Sequence, residues 1–197
     1  MLNFSFTRGL RELPKGIGSC PKLETIYLKD STVQALLKDL AAAPSLKEPD
    51  LRGAMSLRTL PKGLESCPAL ETINLSRSAV KALPEDLVGA PSRKVLDLSF
   101  TTGLRELPKG LGSGPALETI SMSRSAVEAL PEDLAGAPSL KVLDVGFTTG
   151  LRELPKGLGS CPELMTIVLG SSAVAALPEG LAGAPSLAVL NPVAGRA

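Results

Sequence analysis

The 197-residue chain predicts a single-domain solenoid of stacked turns, and three observations carry that expectation. The stretch LETINLSRSAVKALPEDLVGAPS at 70–92 returns almost unchanged 47 residues later as LETISMSRSAVEALPEDLAGAPS at 117–139. A second phrase alternates with it, so that units of 23 and 24 residues follow one another along the whole sequence. Repeats of this length are single supersecondary units that cannot bury an apolar face alone and must stack on near-identical neighbours. Finally, 44% of residues are hydrophobic but only 3% aromatic, with no Trp and one Tyr, so the core must be aliphatic and largely leucine. Residues 1–197 then form one domain, with a partial repeat over 1–22 and full units from 23, 46, 70, 93, 117, 140 and 164. A second partial repeat covers 187–197.

Each unit reads L-x-x-I-x-L-x-x-S-x-V-x-x-L-P-x-x-L, as in Leu70, Ile73, Leu75, Ser78, Val80, Leu83, Pro84 and Leu87. The period of two at Ile73/Leu75 and Leu96/Leu98 is that of a strand buried on one face. This pattern, held in register over essentially the whole chain, resembles the leucine-rich-repeat family. The resemblance implies an α/β solenoid, a right-handed horseshoe with a concave parallel β-sheet and short 3₁₀, helical or loop segments on the convex side. Two departures stand out. The family's usual Asn is replaced by Ser31, Ser78, Ser125 and Ser172 in the short units and by Thr101 and Thr148 in the long ones, whose hydroxyls can bond neighbouring turns with fewer hydrogen bonds. Pro49 takes a strand position held elsewhere by Ile73 or Leu96, so strand pairing should weaken or bulge near 46–57.

Charge excludes some function classes. The formal net charge is +1, with 21 basic and 20 acidic residues interspersed, which leaves no electrostatic reason to expect a nucleic acid or a membrane partner. No apolar run is long enough to span a bilayer, and the opening MLNFSFTRGLRELPK lacks a signal-peptide pattern, so a cytoplasmic location is expected. The sequons at Asn3 and Asn74 are then coincidental. Cys20, Cys67 and Cys161 share one core register. Registers two turns apart, as at Cys20 and Cys67, lie roughly 9 to 10 Å apart at the usual strand spacing, already too far for a disulfide. Without histidine, a Ser-His-Asp triad, a Cys-His pair and a His-ligated metal site are all impossible, so no catalytic, cofactor or metal residue is expected. Asp50, Asp97 and Asp144 share a concave column with Asn74 and Ser121 between them. At roughly 10 Å apart by strand spacing they are too distant to share one ion.

The remaining charges follow a rule. Glu71, Lys94, Glu118 and Lys141 alternate down one column, and Lys62, Glu85, Lys109, Glu132, Lys156 and Glu179 down another, so opposite signs meet on adjacent turns and a one-unit slip would set like charges together. One column departs from it. Position eight reads Phe6, Asp30, Gly53, Arg77, Phe100, Arg124, Phe147, Ser171. Exposed, Arg77, Phe100, Arg124 and Phe147 would form a stripe of the residue types that anchor protein interfaces. Alternatively, the extra residue of the long unit turns both rings into the core and leaves Arg77 and Arg124 alone outside.

The expected function is therefore a non-enzymatic scaffold that binds a partner protein through the concave face. The candidates are Arg77, Phe100, Arg124, Phe147, Asp50, Asp97, Asp144, Asn74 and Ser121. A different reading is end-to-end self-association into a homo-oligomer through an uncharged last edge at Val189, Leu190 and Val193. A fragment or engineered array of a larger leucine-rich-repeat protein is equally compatible with units as alike as those at 93 and 140, which differ at five positions.

Overall fold

The structure is a computed structural model in which residues 1–191 are described, except 37, 39, 41 and 42. Nine short strands form one parallel sheet in chain order: β1 (Leu2–Asn3), β2 (Thr25–Tyr27), β3 (Glu48–Asp50), β4 (Thr72–Asn74), β5 (Val95–Asp97), β6 (Thr119–Ser121), β7 (Val142–Asp144), β8 (Thr166–Val168) and β9 (Val189–Asn191). The register follows the repeat. Ile73 pairs with Leu96, Leu96 with Ile120, Ile120 with Leu143, and Leu143 with Ile167. The middle residue of each of these strands is fully buried and its neighbours half-buried, which is the outcome of period-two alternation. One sheet face is thus the wall of the core and the other is the concave surface.

On the opposite side the chain returns through one-turn 3₁₀ segments such as Leu64–Ser66, Leu111–Ser113 and Leu158–Ser160. A unit this short, interrupted by proline, has no room for a longer helix. Leucines, valines and isoleucines from both sides fill one continuous core, and among the described residues Phe4 is the ring that packs against it. Asp133 ties two returns together, its Oδ1 accepting from Gly110 N at 2.9 Å and its Oδ2 from Gly112 N at 2.8 Å. These are free donors at the start of a 3₁₀ segment, and a carboxylate there supplies the missing acceptor. Asp86 does half of this one pair of units earlier, through Gly63 N at 3.1 Å, while its Oδ1 stays buried without a partner.

Pro49 behaves as its lack of an N–H predicts. Leu51 N and Gly53 N donate to Asn74 O and Ser76 O along the edge facing β4, so the residue two places earlier on that edge is Pro49. With no donor there, β3 and β4 keep a single registered pair, Asp50 with Asn74, whereas β2 and β3 keep three.

Two expectations are corrected. The hydroxyls in the Asn register do not bridge turns. Thr101 and Thr148 donate to carbonyls of their own turn, Leu98 O at 2.7 Å and Val145 O at 2.6 Å, and the Oγ atoms of Ser31, Ser78 and Ser172 are buried without a partner. A hydroxyl sits one carbon nearer the backbone than the amide of Asn and does not reach the neighbouring turn. Cys67 and Cys161 are buried as expected, but Cys20 is exposed. The reason is positional: the Sγ of Cys67 and of Cys161 donates to a carbonyl of the preceding turn, Leu40 O at 3.3 Å and Leu134 O at 3.1 Å. No carbonyl of the described residues covers Cys20 in this way.

The alternating charges pair as expected in one column only. Lys47 meets Glu24 at 3.5 Å, Lys94 meets Glu71 at 3.3 Å and Lys141 meets Glu118 at 3.2 Å. In the column after Leu-Pro no ion pair forms among the described residues, and the nearest relation is Glu132 Oε2 accepting from Lys156 N at 3.3 Å. All these groups are well exposed, so each pair contributes at most about 1 kcal/mol and acts on register more than on stability.

Candidate protein-binding face

Seven described residues other than glycine have positive φ, and all seven stand in the position-eight column: Phe6, Asp30, Arg77, Phe100, Arg124, Phe147 and Ser171, with φ from 52° to 60°. Gly53 fills the eighth place at φ 64°. The chain must turn sharply as it leaves each strand, and it does so through one left-handed residue. The acids just upstream set up this turn. Asp97 Oδ1 accepts from Ser99 N, Asp144 Oδ1 from Gly146 N, both at 2.9 Å, and Asn74 Oδ1 from Ser76 N at 3.1 Å. Such side-chain-to-backbone bonds, two residues apart, are the Asx turns that Asp and Asn favour. These candidates remain half-buried on the concave face with one oxygen occupied by the turn. Asp50 is different: it is buried, and Arg52 grips both of its oxygens, at 2.8 Å through Nε and 2.7 Å through a terminal nitrogen. That embrace raises the Arg52 pKa above its ordinary value and removes Asp50 from the surface available to a partner. Ser121 sits in the same register, half-buried.

The rings of the column are outside. Phe100 is 39% exposed, Phe147 46% and Phe6 64%, so three of the chain's four phenylalanines lie on the surface. The extra residue of the long unit is absorbed between Thr101 and Leu104, where the short unit steps from Ser78 to Val80. That is downstream of the ring, so Phe100 keeps the register of Arg77. Arginine and ring then stack alternately: the Arg77 guanidinium lies 4.9 Å from the Phe100 centroid, and that of Arg124 lies 5.7 Å from Phe100 and 4.2 Å from Phe147. These are cation–π distances. Neither arginine has a carboxylate within ion-pair distance among the described residues.

At the last edge, Val189 is 50% and Leu190 36% exposed, although Leu190 holds the register in which Ile73 and Leu96 are fully buried. Val193 lies outside the described residues. A groove of about 600 Å³ is lined by Lys81, Glu85, Arg105, Glu106 and Lys109 among others. A smaller version recurs one unit pair later at Glu128, Glu132, Arg152 and Glu153, so it is a furrow of the stack. Among the described residues no group of three or more Cys, Asp or Glu could hold a metal ion, and no helix is long and apolar enough to cross a membrane.

The feature least visible in the sequence is Arg93. It stands in the column of Leu46, Leu70, Leu117 and Leu140 and is as buried as they are, 1% exposed. One terminal nitrogen donates to Leu87 O in a very short contact, while Nε and the other terminal nitrogen have no partner. Burial lowers its pKa from the ordinary arginine value to about 10. The column of leucines broken by one arginine was the available signal.

Neither a protein-family model nor a curated protein sequence matches the chain. Solved structures do. The Toll protein of the Drosophila Toll–Spatzle complex superposes with a TM-score of 0.77 at 23% identity, over 91% of this chain and 24% of that one. This chain thus spans about a quarter of the Toll chain's length. The leucine-rich-repeat domain of the type III effector XopL gives 0.72 at 18% identity, over 94% of this chain and 75% of the other. Internalin C2 from Listeria monocytogenes gives 0.66 at 19%, over 92% and 76%. The parallel sheet, the one-turn 3₁₀ returns and these three superpositions establish one conclusion: the chain has the leucine-rich-repeat fold.

Proposed function

We propose that this chain is a non-enzymatic protein-interaction module that engages a partner through its concave face and the Arg–Phe ridge at its margin. One observation carries the reading. Left-handed backbone costs about 1 to 2 kcal/mol for a residue with a Cβ, and Gly53 shows that glycine fits the position, yet four successive turns place Arg, Phe, Arg and Phe there with their side chains exposed. The cation–π stacking returns about 0.5 to 1 kcal/mol per exposed pair, at most enough to offset the backbone cost; what the choice adds is recognition, because these residue types anchor interfaces. The fold is shared with Toll, which is seen in complex with Spatzle, and fold analogy adds only that such a face can serve a partner. Three cysteines outside any disulfide suit a reducing compartment such as the cytoplasm.

The test is comparative capture. Proteins retained from an extract of the source organism by the wild-type chain should be lost with Val142→Arg on the open sheet and kept with Lys156→Glu on the opposite side. Capture unchanged by Val142→Arg would overturn the concave-face reading.

The exposure of Leu190, in a register otherwise buried, favours a second reading, association of copies through β9. Solution mass by light scattering should then grow with concentration, and Val189→Lys should return it to that of a monomer. A monomer mass constant across concentrations rejects this reading.

A further inference from the structure

The geometry points to the partner's chemistry: the ridge Arg77–Phe100–Arg124–Phe147 is built to dock an extended, proline-rich segment carrying an acidic side chain at every third residue. The inference rests on the concave-face reading and specifies its ligand.

Three observations combine. The guanidiniums of Arg77 and Arg124 are fixed by stacking on ring faces, which leaves their N–H edges free, and no carboxylate of the described chain claims them. Planar N–H edges of this kind bind a carboxylate through two parallel hydrogen bonds. The spacing is set by the sheet: the arginines are two turns apart, about 9.5 Å at the usual strand separation. A polyproline II helix repeats every three residues and advances about 9.3 Å per turn. Acidic side chains three residues apart on such a segment therefore meet Arg77 and Arg124 in turn, and the residues between them lie against the exposed edge of the Phe100 ring, which is 39% exposed. A β-strand repeats its facing side chains every ~6.7 Å and falls out of step.

Width and charge narrow the choice further. The ridge is one residue wide and is followed on the sheet side by Asp97 and Asp144. An α-helix, about 10 Å across, would overlie those carboxylates, as would the backbone of a nucleic acid. A narrow extended segment reaches the ridge alone, and proline packs well on exposed rings because its conformation is already fixed.

The probe is a synthetic peptide of four Glu-Pro-Pro triplets, measured by calorimetry or fluorescence anisotropy against the full chain. It is compared with a peptide of the same composition whose glutamates are clustered, a helical peptide with Glu seven residues apart, and a thymidine oligonucleotide. The triplet peptide should bind tightest, weakening about tenfold with Arg77→Ala or Arg124→Ala and also with Phe100→Ala; circular dichroism confirms that these surface variants fold. Equal binding of the clustered peptide, tighter binding of the helix or oligonucleotide, no binding of the triplet peptide, or indifference to both arginines would each overturn the inference. If Val142→Arg still abolishes partner capture in that event, the ligand chemistry alone is wrong. If capture is also unaffected, the concave-face reading falls with it.

Discussion

Replacing Arg93 with leucine is expected to stabilise the protein by about 3 kcal/mol, because an unpaired buried charge costs several kcal/mol and well-packed apolar side chains of similar size do not. The measurement is a shift of the denaturant midpoint at unchanged slope. The substitution restores the residue that the column already uses at Leu46, Leu70, Leu117 and Leu140, all fully buried. Its effect is tied to a second position. Cys67 donates to Leu40 O and Cys161 to Leu134 O; the equivalent pair in the intervening turn is residue 114 with Leu87 O. Residue 114 is glycine, and the donor to Leu87 O is Arg93. A Cβ on Gly114 would lie 3.5 Å from the arginine's terminal nitrogen. Its φ of −62° is open to any residue and a Cβ alone would make only ordinary van der Waals contact, but the Sγ of a cysteine reaching for Leu87 O would enter the space of the guanidinium. Arg93 and Gly114 are one compensated change: the arginine fills the space of the missing thiol and takes over its hydrogen bond. Gly114→Cys alone should therefore destabilise, whereas in the Arg93→Leu background it should stabilise, with a coupling of at least about 1 kcal/mol in the double-mutant cycle.

The pH dependence gives an independent check. Burial holds the folded-state pKa of Arg93 at about 10, below the ordinary value that it keeps in the unfolded chain. Between these values the unfolded chain binds the proton that the folded chain has lost, so the stability of the wild type rises with pH relative to the leucine variant. The advantage of Arg93→Leu is thus complete below about pH 10 and shrinks above it. An advantage independent of pH across that window would show that the arginine is not buried in its charged form.

Much of this architecture is legible in the repeat. The strands, their register and the Glu–Lys pairs of one column follow from residues that return at a fixed spacing, because each turn packs only on its neighbours and what holds for one holds for the next. Features that depend on a single departure are harder to see. Arg93 and Gly114 are two of the five differences between the units at 93 and 140, but only the structure shows that they touch. The placement of Phe100 and Phe147 was undecidable from spacing, since one extra residue could be absorbed on either side of the ring. The failure of the Lys62–Glu85 type of column to pair has a similar origin: it lies on the irregular return, where side-chain directions are not fixed by a sheet.

A methyl group at Gly112 is expected to cost about 2 to 3 kcal/mol, in the range of overpacking a tight contact. The Cβ of Gly112→Ala would lie 1.9 Å from Asp133 O and 2.5 Å from the carbonyl carbon, backbone atoms of the next turn that no rotamer change can move aside. The two 3₁₀ returns must separate, and with them go the bonds from Gly110 N and Gly112 N to the Asp133 carboxylate. Gly159, against Gly180 O at 2.1 Å, predicts the same penalty. The chain contains its own comparison, because Glu65 occupies this register one unit pair earlier. There Asp86 Oδ2 accepts from Gly63 N at 3.1 Å, and its Oδ1 is buried without a partner. Gly112→Ala should convert the second joint into the likeness of the first, so Asp133→Ala, costly in the wild type by about 1 to 2 kcal/mol, should cost much less once the methyl is present. Denaturation of the two single variants and the double variant decides the matter: additive losses would mean that the joint has not opened and that the Cβ is accommodated elsewhere.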